Sequence, residues 1–136
     1  LAIKQHDNQI DMKIELSTIF ADQKLFRRIL DNLVSNAIAH GSKGSPIIIS
    51  LYQQDNMQVL DFANSGKKIA VEQRHVLFQP FSRGEALRND RVTGSGLGLS
   101  IVADCARMMF GKAEIVEVDY ADVCIRVQIP IKEASI

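Results

Sequence analysis

Three glycines on alternate positions, Gly94, Gly96 and Gly98, run straight into an apolar segment from Leu97 to Met109. Within it Ile101, Val102, Cys105, Met108 and Met109 recur at helical spacing. Glycine tolerates positive φ and lets a ligand come close to the backbone. A helix start offers unpaired N–H groups and a partial positive charge, which suits phosphate. Arg83, Arg88 and Arg91, just upstream, supply cations. Taken alone, the stretch has two readings: a flexible basic lid closing onto a phosphate-binding helix N-terminus, or a glycine loop capping an ordinary helix. Other glycine motifs fail. Leu99 stands where a G-x-G-x-x-G motif needs its last glycine, and no G-x-x-x-x-G-K-[ST] occurs.

The composition narrows the partners. With 136 residues and 46% hydrophobic positions the chain forms one domain, large enough to bury about two-thirds of its unfolded surface. Sixteen basic and sixteen acidic residues cancel, which argues against a nucleic-acid binder, since those domains carry a basic excess. Cys105 and Cys124 lie in apolar runs without C-x-x-C spacing; they read as core residues of a reducing compartment and not as a metal site. No apolar run reaches the roughly 18 residues of a membrane span, so this segment is expected not to insert into a membrane directly. The chain opens at Leu1 without a Met, which reads as a domain excised from a longer protein.

Residues 1–9 are polar and read as a linker remnant, with the domain proper at 10–136. Ile10, Met12, Ile14 and Leu16 alternate with polar residues, the period of a half-buried strand. A helix is predicted from about Asp22 to His40, stopped by Gly41. Strands follow at 46–52 and 58–63 around a turn at Asp55-Asn56, then a short helix from Val71 to Phe78 halted by Pro80. Nothing apolar repeats between Ser82 and Ser95, and a loop of that length is a functional lid or disordered. A helix from Leu97 and a hairpin of 112–118 with 123–131 complete the pattern. The expected architecture is an α/β two-layer sandwich, a mixed, mainly antiparallel sheet with helices on one face.

On the long helix, Phe26, Ile29, Leu30, Leu33 and Ala37 form the core arc; Lys24, Arg27, Arg28, Asp31 and Ser35 form the solvent arc. Asn32, Asn36 and His40, each four apart, border the core arc. An unsatisfied buried amide costs roughly 1–3 kcal/mol, so the asparagines either bond water at the surface or face a cavity that holds a cation and phosphates. Mg²⁺ prefers oxygen ligands and keeps several waters while bridging phosphates, so one neutral amide suffices.

Several stretches resemble the boxes of sensor histidine kinases. FRRILDNLVSNAIAHG (26–41) is similar to the N box, NSGKKI (64–69) to the first glycine box, LFQPFSRG (77–84) to the phenylalanine box and TGSGLGLSIV (93–102) to the second glycine box. FGKAEI (110–115) and VCIRVQIPI (123–131) match the final helix-to-hairpin segment. The four boxes stand in the family's order, and together with the final segment the resemblance runs over nearly all of residues 10–131. The resemblance implies a Bergerat-type (GHKL) ATP-binding fold and the catalytic, ATP-binding domain of a two-component sensor histidine kinase. Its cofactors would be ATP and Mg²⁺. Its partners would be the parent kinase's dimerisation and phosphoacceptor domain and, downstream, a response regulator receiver domain. The location would be cytoplasmic, beneath a membrane-tethered sensor.

Carried over by position, the resemblance makes Asn36 the Mg²⁺ ligand and gives Asn32 an auxiliary role at the phosphates. Asn64, Gly66 and Ile69 border the adenine. Gly94, Ser95, Gly96, Leu97, Gly98 and Leu99 lie against the nucleotide as the second glycine box, and the three glycines let the lid fold over the triphosphate. Arg83 is the phosphate contact from the lid. Phe78 and Phe81 anchor the core or dock on the phosphoacceptor domain. His40 lies against base or ribose, or is an ordinary helix-end histidine.

Three positions depart from the family pattern. Asn64 replaces the aspartate that accepts from the adenine amino group; its oxygen can accept the same bond. Lys68 replaces the second glycine of the first glycine box. Ala39 and His40 stand where the family often has a basic residue followed by Tyr. His6 and His75 both lack the sequence context of a phosphoacceptor histidine. Two rivals to the kinase reading follow: an ATP hydrolase of the same fold, and a regulatory binding module without catalysis.

Overall fold

Asp22 accepts a hydrogen bond from the Leu25 N–H at 2.9 Å, so its carboxylate caps the long helix α1 (Gln23–His40) at the residue where the sequence pattern changes. At the other end the Gly41 N–H donates to the Ala37 carbonyl, 2.7 Å away, as the chain turns extended. The computed structural model describes residues 9–41, 44–79 and 95–131. Along the chain lie β1 (Ile10–Ile14), α1, β2 (Ile47–Gln54), β3 (Met57–Asn64), α2 (Val71–Arg74) with a 3₁₀ turn (Val76–Phe78), α3 (Ser95–Met108), β4 (Lys112–Val116) and β5 (Val123–Pro130).

The strands form one sheet in the order β1-β2-β3-β5-β4, with β1 parallel to β2 and every other pair antiparallel. This is the expected mixed, mainly antiparallel sandwich. Alternation along the strands sorts the two faces. Ile47, Leu60, Phe62, Ile125 and Val127 join Ile29 and Leu33 of α1 and Val102 and Ala106 of α3 in the core. The predicted arc of α1 holds, since Ile29, Leu33 and Ala37 are buried with Phe26 and Leu30 packed against them, and the opposite arc is exposed.

Two expectations need correction. β1 forms, but it is not half-buried through its apolar positions: Ile10, Met12 and Ile14 remain 37%, 63% and 49% exposed. Among the described residues it is an edge strand with a neighbour on one side only, and alternation cannot tell an edge from an interior strand. The second concerns α3, which begins at Ser95 and not at Leu97. Gly96 and Gly98 therefore belong to the first turns of the helix and not to the preceding loop. The short segment after Val71 also divides into a single α-helical turn and a 3₁₀ turn.

α3 ends in a Schellman motif: the Gly111 N–H donates to the Ala106 carbonyl at 2.8 Å and the Phe110 N–H to that of Arg107 at 2.9 Å. Phe110 occupies the left-handed position, φ 66°, where glycine is usual. On the sheet's helix-facing side, buried Gln58 clamps the approach to α1 by bonding both the N–H and the carbonyl of Phe20. Cys105 and Cys124 are buried free thiols.

Candidate functional site

The ends of β3 and β5, the last turns of α1 and the first turns of α3 meet around a cavity of about 270 Å³. Ile69, Leu77, Leu99, Val123 and Ile125 give it apolar walls, while Asn36 and Asn64 supply side-chain amides. Register explains the sheet's share: Asn64 pairs with Ile47 on one side and Val123 on the other, so all three side chains project toward the helices. Asn36 arrives from α1 because it lies one residue before the buried Ala37, on the border of the core arc. Lys67 and Lys68 stand at the rim, and both are exposed.

The loop after β3 is held at three points. Gly66 forms an isolated antiparallel bridge with Gly41, tying the end of α1 to the end of β3. The Gly66 N–H donates to Asp122 Oδ2 at 3.2 Å. Arg74 of α2 donates through Nε to the Ile69 carbonyl at 3.1 Å and through Nη2 to Glu117 Oε1 at 3.0 Å. Lys68 approaches the other oxygen of Glu117 to 3.6 Å, so it pairs with the β4–β5 turn. Hydrogen bonding from Arg74, with the charge of Lys68 beside it, holds the Glu117 carboxyl below the ordinary carboxylate range.

A larger depression of about 570 Å³ lies on the far side of Lys68, lined by Ser65 and residues 117–122. Glu117, Asp119 and Asp122 border it, and their charge opposes a polyphosphate. The smaller cavity combines apolar walls with two neutral amides and carries no carboxylate in its lining.

Asn36, Asn64, Ile69 and Leu99 thus share one cavity, with Gly66 bridged at its edge. Asn32 is half-buried one turn before Asn36 and does not line the cavity; its Nδ2 donates to the Arg28 carbonyl at 2.7 Å. Ser95, Gly96, Leu97 and Gly98 contribute helical backbone to α3 and His40 closes α1, while the side chains of His40, Ser95 and Leu97 lie outside the description. Arg83, Arg88, Arg91, Phe81 and Gly94, and with them the expected lid up to residue 94, lie outside the described residues. Phe78 is 9% exposed and part of the core. Sequence reasoning missed Gln73, Leu77, Val123 and Ile125 in the cavity wall, and Arg74 and Asp122 behind the loop. Period-two reading of β5 could have found Val123 and Ile125; the contacts of Arg74 and Asp122 cross the fold and leave no local pattern.

Such a sheet, backed by two helices over a cleft with two amides, is the architecture of a Bergerat-type ATP-binding domain. The sequence model for the histidine kinase-, DNA gyrase B- and HSP90-like ATPases matches residues 21–133. Sensor histidine kinase GlrK of Escherichia coli K12 is 36% identical over 120 residues, 88% of this chain and 25% of that protein. Signal transduction histidine-protein kinase BaeS of the same organism is 30% identical over 115 residues, 85% of this chain and 25% of that protein. The nucleotide-free catalytic domain of histidine kinase ThkA superposes with a TM-score of 0.79 at 24% identity, covering 97% of this chain and 85% of that one; this likeness shows the fold. The chain belongs to the histidine kinase-like ATPase family, as an ATP-binding catalytic domain of the histidine kinase type. It spans about a quarter of the length of the curated relatives it matches.

Proposed function

We propose that this domain binds Mg-ATP in the Asn36–Asn64 cavity and donates the γ-phosphoryl group to a histidine on a separate dimerisation and phosphoacceptor domain, for relay to a response regulator. The observation that carries the reading is the convergence of Asn36 from α1 and Asn64 from β3 on one cavity with apolar walls. Ile69, Leu77, Leu99, Val123 and Ile125 suit the faces of a purine, and the Asn64 oxygen suits its amino group.

The donor set also fits the metal. Among the described residues no group of three or more His, Cys, Asp or Glu side chains could hold an ion. A Mg²⁺ here would take the Asn36 amide oxygen, with phosphate oxygens and water as its other ligands. Bound there, it would neutralise charge on the polyphosphate. In the transfer the bond from the γ-phosphorus to the β–γ bridging oxygen breaks, a bond to an imidazole nitrogen forms and ADP leaves. The domain's own work is to position the nucleotide and neutralise its charge, as phosphoryl transfer requires. In this reading Asn32 assists near the phosphates, Arg83 and Gly94 contact them as the resemblance implies, and Gly96 and Gly98 let the first turns of α3 approach them.

In this reading residues 10–136 make up the catalytic domain and 1–9 a linker. By its resemblance to sensor kinases the domain would sit on the cytoplasmic side of a membrane-tethered sensor; no helix among the described residues is long and apolar enough to cross a membrane.

Calorimetry with Mg-ATP and Mg-ADP tests the site. Asn64→Ala should weaken binding about tenfold, the loss of one hydrogen bond from a desolvated group. Asn36→Ala should abolish Mg-dependent phosphotransfer to a supplied acceptor domain while the protein stays folded. Unchanged affinity in the first variant, or normal transfer in the second, removes that residue from the site.

A further inference from the structure

We propose that Gly41 and the Ser65 carbonyl set the base specificity of the cavity by locking the Asn64 amide with its nitrogen turned away and its oxygen turned in. The inference rests on the reading that the base binds at Asn64. An asparagine in this place raises a problem that a carboxylate does not: turned one way it accepts, turned the other it donates. As an acceptor it selects a 6-amino purine, and as a donor it would welcome a 6-oxo purine.

The surroundings of Asn64 remove that ambiguity. Its Nδ2 donates to the Ser65 carbonyl at 2.9 Å. Reversing the amide would set Oδ1 against that carbonyl oxygen, two acceptors with no proton between them. Because the amide is planar, holding Nδ2 on the side of Ser65 and Gly41 puts Oδ1 on the other side, toward the cavity that Asn64 lines. The opposite wall of the lock is Gly41. A Cβ there would lie 2.5 Å from the Ala37 carbonyl oxygen, 2.8 Å from Asn64 Nδ2 and 3.3 Å from the Ser65 oxygen. Gly41 has ordinary extended backbone, φ −82°, so close approach and not backbone conformation requires the glycine. Its bridge to Gly66 and its bond to Ala37 hold it in place. Gly41 and Ser65 are positioning residues that act through Asn64.

The test compares binding of Mg-ATP with Mg-ITP, whose base carries an oxygen at C6, to the purified chain by calorimetry. Wild type should prefer ATP by about tenfold or more. Equal affinities overturn the lock and leave the nucleotide-site reading standing; no binding of either nucleotide overturns both. Gly41→Ala should narrow the preference to about threefold or less, because the added methyl group displaces the amide from its place beside the Ser65 carbonyl. A merely structural Gly41 would weaken both nucleotides alike and leave the ratio unchanged, which overturns the proposal. Should Gly41→Ala not fold, the wild-type Asn64 side-chain nitrogen carries the test. Its NMR signal should stay in place on adding ADP, since it faces Ser65. A large shift would mean that the nitrogen meets the base, and would overturn the lock.

Discussion

Arg126 grips Asp61 with two parallel hydrogen bonds, Nε to Oδ1 at 2.7 Å and Nη2 to Oδ2 at 2.9 Å. The pair lies across the β3–β5 register, on the sheet face away from the core residues Leu60 and Phe62, and Tyr52 of β2 adds a third bond to Oδ2 at 2.9 Å. One carboxylate thereby ties three strands together. Asp61→Ala would leave a guanidinium that is only 25% exposed without its partner. The expected cost is about 3 kcal/mol, the lower end for a broken buried pair. Replacing both residues, Asp61→Leu with Arg126→Leu, should cost less than Asp61→Ala alone, since neither charge is then stranded. Urea denaturation decides; a double variant less stable than the single one would refute the account.

The same face sets the response to alkali. Burial, and then the bond to Asp61, push the Tyr52 phenol up to about 12 from an ordinary 10.0. Burial, and then the Asp61 charge, push the Cys124 thiol up to about 12 from 9.0. Both groups bind their protons more tightly in the folded state than in the unfolded chain. Their contribution is complete below pH 9 and is lost as pH rises from there through about 12. Thermal midpoints should therefore fall from pH 9 upward. Tyr52→Phe should remove part of the slope above pH 10, and Cys124→Ala part of the slope beginning at pH 9. A midpoint that is flat to pH 11 would contradict both assignments.

Adjacent residues at the end of α3 should respond in opposite directions. Phe110 holds φ 66° with its side chain 67% exposed, so the ring gains little from burial while the backbone is strained. Phe110→Gly should stabilise the domain by about 1 kcal/mol. Gly111 is the reverse case, because a Cβ there would sit 1.9 Å from the Gln128 carbonyl oxygen, a backbone atom of β5. Gly111→Ala should cost about 3 kcal/mol. Differential scanning calorimetry of the two variants checks the pair, and a destabilised Phe110→Gly would refute the strain argument.

What could be read in advance was what local pattern encodes. The 3.6-residue period from Phe26 to Ala37, with Asp22 before it and Gly41 after it, specified α1 and its buried arc. The resemblance of the boxes pointed to Asn36, Asn64, Ile69 and Leu99 before the fold brought them to one cavity. Contacts between distant residues stayed hidden. Gln58 looked like one more polar position in a strand, yet it is 3% exposed, because its partners are backbone atoms of Phe20 and Pro130, 38 and 72 residues away. Gly41 read as a helix stop, and its second role against Asn64 exists only once α1 and β3 are side by side. The start of α3 was misplaced because glycine's poor helix propensity does not prevent Gly96 and Gly98 from joining the first turns.

The last prediction concerns what the domain does when no acceptor is present. A hydrolase needs a general base beside the bound phosphates to activate the attacking water, and one helical turn before Asn36 is where this fold would place it. Here that position is Asn32, whose Nδ2 is engaged by the Arg28 carbonyl of its own helix at 2.7 Å. An amide has no proton equilibrium near neutrality and cannot act as a general base. Asp31 is the nearest carboxylate in sequence, but it is exposed on the solvent arc, turned about 100° from Asn32. ATP bound at Asn36 should therefore persist until an imidazole is presented, which suits a transferase and would defeat a hydrolase. Steady-state phosphate release from the purified chain should be slow, and ATP consumption should rise when a phosphoacceptor domain is added. Rapid release by the chain alone, abolished by Asn36→Ala, would overturn the transferase reading in favour of a hydrolase working at the same cavity.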